Sequence, residues 1–305
     1  MLSICTLKSA KQAANYYKDG DYYTKEGEGP ETSWFGAGAE KLGLNGQVDF
    51  EVFRSLLEGK LPDGTQMHLG YDKNGRAVHR PGYDLTFSAC KSASLLYYLG
   101  GDERIRHAFQ NSVESTLSTI QSNAATRVKK EGKVEVVKTQ NLVAALFPHN
   151  TSRELDPAMH THCVIMNMTE HEGEMRNLYG DDFYQSKKSL GLQQRLRFAR
   201  NLMKLGYEIE QISEDGLFEI KGVDTLTKHK KPGLLRHFSK RRQDIEAILE
   251  ERGLDKQQKV QMTINRGTKH ERVINTVASS MANFVSRVKK KPFPCQSYNN
   301  TGPRI

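Results

Sequence analysis

The pattern of apolar and polar residues predicts a β-sheet in the middle of the chain. In the segment YDLTFS (residues 83–88) every second residue is apolar, which is typical of a strand with one buried face. Apolar runs at about 140–147 and 160–168 predict two further strands, and HEGE at 171–174 predicts a hairpin turn into another short strand. A strand pair is expected at about 206–220. This clustering of strands favours an antiparallel sheet.

Helical patterns flank the strands on both sides. The first predicted helix, residues 9–18, begins at Ser9 and carries Ala10, Ala13 and Ala14 on one stripe. Further helices are predicted at about 50–57, 88–98, 103–128, 187–205, 240–252 and 269–288, and an ordered loop with little regular structure at 24–47. Helices around a central antiparallel sheet define an α+β fold.

Composition excludes a membrane protein and a secreted precursor. The 305 residues are 37% hydrophobic, and the longest apolar run has six residues (142–147), far short of the roughly 18 that a membrane helix requires. The N-terminal sequence MLSICTLKSAKQAANYY lacks the regions of a signal peptide. Four cysteines lie far apart without a CxxC pair, which argues against a disulfide framework or a cysteine zinc site. We therefore expect a cytoplasmic protein without membrane insertion.

Positive charge is concentrated towards the C-terminus. The net charge is +9, but residues 221–305 contain 19 Lys and Arg against 7 Asp and Glu, whereas residues 1–220 contain 26 basic and 29 acidic groups. A nearly neutral body with a basic end is expected when a polyanion is gripped from one side. A solvated, lysine-rich helical surface explains the same charge, so charge alone does not decide the function.

Three histidines in the middle of the chain are candidate metal ligands. His160 and His162 are two residues apart on a predicted strand, so their imidazoles point to one face. His149 ends the preceding strand, and the ten residues between it and His160 can form a loop that brings it beside the pair. Three neutral imidazoles with open coordination positions suit a divalent metal that must also touch a substrate. Surface histidines on a polar strand face are the alternative interpretation.

Asp84 and two tyrosine pairs could add chemistry to this cluster. Asp84 lies on the polar face of its strand, where it could accept the free N–H of a metal-bound histidine or a proton from a nucleophile. Tyr17 continues the alanine stripe and should be buried, whereas Tyr16 projects about 100° away and is the better candidate nucleophile. Tyr22 and Tyr23 form the second pair. The alternatives are a solvated carboxylate and ordinary aromatic packing.

The order and spacing of these groups resemble one known family. The pattern YY-x4-YY and the segments GYDLTFSACKSAS (82–94) and TSRELDPAMHTHCVIMNMT (151–169) resemble the relaxase domain of the TraI/TrwC (MobF) class of conjugative relaxases, in the HUH-nuclease superfamily. The segments LGLNG, LLEGKLPDG and NLVAALFPH are similar too, so that the similarity covers roughly residues 1–250. The resemblance implies a site- and strand-specific nickase and transesterase. Such an enzyme cuts single-stranded DNA at the nic site of an origin of transfer, forms a covalent 5′-phosphotyrosine intermediate and can rejoin strands.

The resemblance also implies roles for individual residues. Tyr16 corresponds to the tyrosine that becomes joined to the 5′-phosphate, and Tyr22 and Tyr23 correspond to tyrosines implicated in a later strand transfer or in supporting the first. The remaining implied site residues are Tyr17 in the first tyrosine pair, the metal triad His149, His160 and His162 with Asp84 beside it, and Lys91 and Arg153 near bound DNA. The expected metal is Mg²⁺ or Mn²⁺, with Zn²⁺ or Ni²⁺ as alternatives because imidazole binds them more tightly.

A domain organisation and a set of partners follow from the same resemblance. Residues 1–288 are expected to form a single relaxase domain, with an HUH/Rep-like palm at about 1–220 and a basic helical clamp at about 221–288 that covers the DNA site. Residues 289–305 are expected to be a basic, flexible tail. The implied partners are single-stranded and origin-of-transfer DNA, accessory relaxosome proteins and a type IV secretion coupling protein.

Two features depart from the family pattern. The usual FSAPKSVS reads FSACKSAS, with Cys90 for Pro and Ala93 for Val, which affects the local turn but removes no catalytic group. The family's large helicase portion is not in this sequence, as expected for an excised domain or a short form. The alternatives are an HUH-type replication initiator or transposase, an inactive single-stranded DNA-binding module, and a hydrolytic metalloenzyme for small substrates. The spacing and N-terminal position of the tyrosine pairs argue against a replication initiator or transposase. The presence of every catalytic residue argues against an inactive module, and the basic C-terminal region argues against a hydrolase for small substrates.

Overall fold

A computed structural model describes residues 2–19, 31–67, 70–71, 74, 77–152, 156–224, 233–239, 243 and 285–286. The helices are α1 (Ala10–Asp19), α2 (Ala37–Lys41), α3 (Phe50–Leu57), α4 (Lys91–Tyr98), α5 (Glu103–Ser122), α6 (Asp181–Lys204) and α7 (Leu234–His237). The strands are β1 (Leu2–Thr6), β2 (Ser33–Phe35), β3 (Gly70–Tyr71), β4 (Ala77–Val78), β5 (Gly82–Ser88), β6 (Ala125–Lys130), β7 (Lys133–Lys138), β8 (Ala144–Thr151), β9 (Pro157–Met166), β10 (Thr169–His171), β11 (Glu174–Arg176), β12 (Ile209–Gln211) and β13 (Phe218–Ile220).

The central sheet has five strands in the order β1-β5-β9-β8-β2, and each neighbouring pair is antiparallel. In the middle of the sheet, Thr86 of β5 lies opposite His162 of β9, and Ser88 lies opposite His160. On the other side of β9, His149 of β8 lies opposite His160. Residues directly opposite each other share a face, so this register collects the three histidines on one face. The predicted α+β fold with a central antiparallel sheet is confirmed.

The two faces of this sheet are covered by different layers. We call the side of β5 that carries Tyr83, Leu85 and Phe87 the core face, and the side that carries Asp84 and Thr86 the site face. The core face packs against residues of α4, α5 and α6, including Leu95, Leu96, Phe109, Leu117, Phe198 and Leu202. The site face packs against α1 and α3 through a second apolar cluster that includes Ala13, Ala14, Tyr17, Phe53, Leu56, Phe147 and Val164.

Side-chain caps fix where the helices of the site face begin. The Ser9 hydroxyl accepts a hydrogen bond from the Gln12 N–H at 3.3 Å, which starts α1 and confirms the predicted first helix. The Asp49 carboxylate accepts from the N–H groups of Glu51 and Val52 at the start of α3. Such caps satisfy backbone donors that have no partner inside the helix.

The prediction of one helix from 103 to 128 is wrong at its C-terminal end. Helix α5 ends at Ser122, and the following residues form β6, which pairs with β7 as an antiparallel hairpin. Glu131 and Gly132 make the turn with positive φ angles of 49° and 81°. The pairing partner lies further along the chain, so the helical pattern of residues 103–122 could not indicate where the strand begins.

Other boundaries shift by a few residues. The loop expected at 24–47 contains β2 and α2, and α4 begins after the N-cap Cys90 rather than at Ser88. The strand expected to end at 147 continues to Thr151. The hairpin at 171–174 and the strand pair near 206–220 are confirmed.

The C-terminal helices predicted at 240–252 and 269–288, and the tail at 289–305, lie almost wholly outside the described residues. One described residue of this region, Val285, is buried beside Gly100 in the apolar cluster that covers the core face. No helix within the described part of the chain is long and apolar enough to cross a membrane.

Candidate metal centre and nucleophile

The three histidines form a compact triangle on the site face. The ring centroids of His149, His160 and His162 lie 5.2 Å from one another in every pair. One ligand nitrogen from each ring lies within 4.8 Å of the others. Two of the rings come from β9 and the third from β8, where a register irregularity follows His149. The structure therefore brings together the three residues that the sequence singled out.

Hydrogen bonds orient two of these rings. His162 places its Nδ1 2.8 Å from the Asp84 carboxylate, and His160 places its Nδ1 2.8 Å from the backbone carbonyl of Ala158. Because a carboxylate and a carbonyl only accept hydrogen bonds, both Nδ1 atoms carry the proton in the neutral rings. Their Nε2 atoms then present a lone pair, which is the arrangement found in histidines that bind metals.

The surroundings keep two of the three imidazoles, those of His149 and His160, uncharged. Burial, reinforced by the neighbouring His160 and His162, lowers the pKa of His149 from 6.5 to about 3. Burial also lowers the pKa of His160 to about 4, in spite of its bond to the Ala158 carbonyl. Metal ligation requires neutral imidazoles, so these two side chains are ready to ligate at neutral pH.

Helix α1 presents its tyrosine pair in two different ways. Tyr16 is 43% exposed, and its ring centroid lies 6.0 Å from that of His162. Tyr17 is only 4% exposed, and its centroid lies 5.5 Å from that of His162. The expected burial of Tyr17 and exposure of Tyr16 are both observed, and the exposed phenol is the one that a substrate can reach.

The buried tyrosine is shielded from water and lies near the charge of Asp84. Burial, together with the negative charge of Asp84, raises the pKa of Tyr17 far above the usual value for a tyrosine. A phenol that resists ionisation in this way is a poor nucleophile. Of the first pair, Tyr16 therefore remains the candidate for covalent chemistry.

The remaining predicted site residues are placed as follows. Lys91 begins α4 and donates from Nζ to the Pro157 carbonyl at 2.8 Å, which anchors the start of the strand that carries His160 and His162. Burial lowers its pKa. That Lys91 also contacts DNA stays a prediction. The predictions for Tyr22, Tyr23 and Arg153 lie outside the described residues.

Sequence reasoning missed Thr86 as part of the site. Its hydroxyl lies 3.3 and 3.4 Å from the two carboxylate oxygens of Asp84 and 3.2 Å from His162 Nδ1. Thr86 stands two residues after Asp84 on the same strand, so the alternation that placed Asp84 on the site face was a sufficient signal to find it.

The second missed feature is the exposed hairpin β6–β7. The register pairs Arg127 with Val136 and Lys129 with Val134, so these four side chains share one face. Val134 is 66% and Val136 53% exposed, and the Arg127 guanidinium lies 4.6 Å from the centroid of the Tyr179 ring. The signal in the sequence was the run of valines and lysines on both sides of Glu131 and Gly132.

Comparison with known proteins agrees with this geometry. The sequence pattern of the TrwC relaxase family matches residues 10–292. The multifunctional conjugation protein TraI of Escherichia coli (strain K12) is 37% identical over 310 residues, which is 98% of this chain and 17% of that protein. The chain thus spans about a sixth of the length of this relative.

Solved structures of conjugative relaxase TrwC are similar to this chain over nearly its whole length. The metal-bound complex with oriT DNA has a TM-score of 0.76 and 33% identity, covering 94% of this chain and 98% of that chain. The complex with a 27-mer DNA that comprises the recognition hairpin and the cleavage site has a TM-score of 0.75 and 31% identity, with the same coverage of both chains. From its family match, its close relatives and its fold, the chain is a relaxase domain that belongs to the TrwC relaxase family.

Proposed function

We propose that this chain cuts and rejoins one DNA strand at an origin of transfer, with Tyr16 as the nucleophile and His149, His160 and His162 as ligands of a divalent metal. The observation that carries the proposal is the exposed Tyr16 ring 6.0 Å from His162, beside imidazoles whose ligand atoms lie close together. Transfer of a phosphodiester requires a nucleophile and neutralisation of phosphate charge in one place. The exposed phenol and the three imidazoles that could hold a cation lie side by side.

The donor set fits a divalent metal. Three neutral imidazole nitrogens from two rigid strands leave coordination positions open for phosphate oxygens. An ion held by His149, His160 and His162 would supply charge neutralisation at the scissile phosphate. Mg²⁺ or Mn²⁺ is the proposed working ion, although Zn²⁺ or Ni²⁺ binds imidazole more tightly.

The chemistry of Tyr16 is a balanced exchange of phosphoesters. The phenolic oxygen attacks the scissile phosphorus, a bond from Tyr16 to phosphorus forms, and the bond from phosphorus to the 3′-oxygen breaks. In the net reaction the proton of the phenol passes to the departing 3′-oxygen. The strand then ends in a free 3′-hydroxyl, and its 5′-phosphate stays on Tyr16. Because one phosphoester replaces another, attack by a 3′-hydroxyl reverses the reaction and reseals the strand. We assign Tyr22 and Tyr23 to a second transfer or to support of the first.

The hairpin β6–β7 supports a second contact, with duplex DNA. The major groove of B-DNA admits a two-stranded β-ribbon, and the exposed face with Arg127, Lys129, Val134 and Val136 offers cations for phosphates and methyl groups for thymine. TrwC, a structural relative, has been solved with a DNA that comprises a recognition hairpin. Lys129→Ala should weaken binding of a hairpin-containing oligonucleotide. Lys133→Ala, which changes a lysine on the opposite face, should have the smaller effect.

The basic region beyond residue 220 is proposed to clamp the single strand, together with Lys91 and Arg153. Replacing Lys228, Lys230 and Lys231 with glutamine should lower affinity. It should also reduce the slope of log affinity against log salt by roughly 0.7 for each phosphate that the protein no longer neutralises. An unchanged slope would mean that this charge is a solvated surface. Accessory relaxosome proteins, a coupling protein and action in the cytoplasm are carried over from the family resemblance.

A covalent trapping experiment tests the proposed function. Single-stranded oligonucleotides with candidate transfer origins are incubated with the protein and Mg²⁺ or Mn²⁺, and the products are separated under denaturing conditions. We expect a protein–DNA adduct with one oligonucleotide sequence and not with its scrambled form. Tyr16→Phe should abolish the adduct and leave oligonucleotide affinity nearly unchanged, because the hydroxyl that it removes lies on an exposed side chain.

Tyr98→Phe is the matched control, since Tyr98 is also about half exposed but lies at the end of α4. It should form the adduct normally. If Tyr16→Phe still forms the adduct while Tyr22→Phe or Tyr23→Phe does not, Tyr16 is not the nucleophile.

A further inference from the structure

The two histidines of β9 are oriented by acceptors of different kinds. His162 is bonded to the side-chain carboxylate of Asp84, whereas His160 is bonded through Nδ1 to the backbone carbonyl of Ala158 at 2.8 Å. A backbone carbonyl has a fixed direction only if the peptide unit to which it belongs is itself held. The orientation of the His160 ring therefore depends on the groups that hold this peptide unit.

A buried serine of α4 holds the same peptide unit from its other side. The carbonyl of Ala158 and the N–H of Met159 belong to one planar unit and point in opposite directions. The Met159 N–H donates to the hydroxyl oxygen of Ser94 at 3.0 Å, and Ser94 is only 2% exposed. The Ser94 hydroxyl donates its own proton to the Cys90 carbonyl at 3.1 Å, so its lone pairs are left for Met159. One rigid unit thus connects Ser94 with His160.

Other bonds between this region and the start of β9 reach the neighbouring peptide units. Lys91 donates from Nζ to the carbonyl of Pro157 at 2.8 Å, and the N–H of Ala89 donates to the carbonyl of Met159 at 2.9 Å. Without the Ser94 hydroxyl, the Met159 N–H would be a buried donor that has lost its acceptor, which is unfavourable. We expect the peptide unit to tilt towards another acceptor and to carry the Ala158 carbonyl with it.

We propose that Ser94 is a positioning residue for the metal centre: its hydroxyl fixes the peptide unit between Ala158 and Met159, whose carbonyl orients the imidazole of His160. The inference rests on the proposed metal centre and adds to it a residue outside the ligand set. Ser94 acts through the backbone at the start of β9 and not through apolar packing.

The expected size of the effect follows from the distance of Ser94 from the metal ligand. Loss of an outer hydrogen-bond partner of a metal ligand commonly weakens metal affinity about 10–100-fold. Ser94→Ala leaves the partner of His160, the Ala158 carbonyl, in place and changes only its direction. We therefore expect about the lower limit of that range.

The chain contains a matched control for this proposal. Ser112 of α5 is also buried, and its hydroxyl donates to the Phe109 carbonyl at 2.6 Å and accepts from the side chain of Gln194 at 3.0 Å. Both partners lie outside β8 and β9, the strands that carry the triad. Ser112→Ala therefore removes the same pair of bonds from a position with a structural role.

The first measurement is the Mn²⁺ affinity of the DNA-free protein by titration calorimetry, together with thermal stability in the absence of metal. Ser94→Ala should weaken Mn²⁺ binding by about tenfold, whereas Ser112→Ala should bind like the wild type. Both variants should melt at a lower temperature, because each leaves a buried donor without its acceptor. Ser94→Cys keeps a weaker acceptor of similar size and should weaken binding less than Ser94→Ala does.

The second measurement is the tautomer of His160 in the metal-free protein, by nitrogen NMR of the histidine rings. The bond to the Ala158 carbonyl favours the proton on Nδ1, so the wild type should show this tautomer. In Ser94→Ala the tautomer with the proton on Nε2 should become populated. Ser112→Ala should give the wild-type spectrum, since a general loss of stability does not change this bond.

Wild-type Mn²⁺ affinity and an unchanged tautomer in a folded Ser94→Ala protein would overturn the proposal, as would equal losses of affinity in Ser94→Ala and Ser112→Ala. If Ser94→Ala does not fold, the same wild-type results in Ser94→Cys overturn it. The proposed metal centre is tested separately by His160→Ala. If His160→Ala abolishes Mn²⁺ binding and Ser94→Ala leaves it unchanged, only the role of Ser94 is refuted. If His160→Ala retains full binding, the metal centre itself is refuted.

Discussion

Asp84 and Leu85 are neighbours in β5 but face opposite sides of the central sheet. Leu85 is completely buried on the core face among the side chains of three helices. Asp84 is partly buried on the site face and is bonded to His162. The same strand therefore contributes to packing with one residue and to the proposed metal centre with the next.

The two faces differ in what a substitution can change. On the core face each side chain contributes through apolar area removed from water and through close packing. On the site face an apolar cluster around Phe53 and Phe147 lies beside Asp84 and the histidine triad. The protonation and orientation of these polar side chains determine whether they can bind a metal. Substitutions on the core face should therefore change stability, and substitutions on the site face should change metal binding and cleavage.

The largest effect is expected from the triad itself. His160→Ala and His162→Ala should each lower the rate of oligonucleotide cleavage more than about 100-fold, beyond the loss typical of outer partners. EDTA should stop cleavage by the wild type, and Mg²⁺ or Mn²⁺ should restore it. His107→Ala, at an exposed position of α5, should retain wild-type cleavage. Full cleavage by a metal-stripped sample would contradict the assignment of the site face.

Asp84→Asn should have the next largest effect. It keeps the size of the side chain but removes the negative charge that holds His162, so cleavage or metal affinity should fall about 10–100-fold. The measurement is the single-turnover rate at several Mn²⁺ concentrations. Asp49→Asn, which preserves an N-cap residue on α3, is the control and should cleave normally. Normal cleavage by Asp84→Asn would mean that the carboxylate has no part in the reaction.

Leu85→Ala changes the core face and should act on stability alone. Removing this fully buried side chain should lower the free energy of unfolding by about 2–5 kcal/mol, measured by urea denaturation. Under conditions where the protein stays folded, its cleavage rate should remain close to that of the wild type. A large loss of cleavage without a loss of stability would show that the two faces are not separable.

The smallest expected effect is the pH dependence of stability in the metal-free protein. The folded-state pKa values of His149 and His160 are about 3 and about 4, below the ordinary value of 6.5. Between pH 6.5 and 5.5 the unfolded chain binds more protons, so stability should fall as the pH is lowered, by at most about 1.4 kcal/mol for each histidine. Above pH 6.5 this contribution is constant.

The measurement is urea denaturation at pH 7.5, 6.5 and 5.5, compared with a His149→Gln, His160→Gln double variant. Subtracting the variant removes the titration of other groups. If both proteins show the same pH dependence, His149 and His160 are not held in their neutral form by the fold.

Much of the site face could be predicted because the positions of its residues follow from their spacing within single helices and strands. The angle of about 100° between consecutive helical residues separated Tyr16 from Tyr17, and strand alternation placed Asp84 on the face opposite Leu85. His160 and His162 share a face for the same reason. These predictions depend only on the geometry of one helix or one strand, which the sequence specifies directly.

Two of the missed features, the end of α5 and helix α2, depend on contacts between distant segments. Strand β6 exists because it pairs with β7, and α2 is held by bonds from its N-terminal backbone to Leu142 and Gln121. The valines and lysines of the hairpin are a local signal, but neither the residue at which α5 ends nor the anchoring of α2 is indicated by the local pattern of apolar and polar residues.

We propose above that Tyr16, the exposed tyrosine beside the triad, is the residue that becomes joined to DNA. The most direct measurement is mass spectrometry of the trapped adduct after digestion with protease and nuclease. We predict that the nucleotide-bearing peptide contains residues 12–18 and that fragmentation places the phosphate on Tyr16. A phosphate on Tyr17, Tyr22 or Tyr23 in the first covalent product would contradict the account.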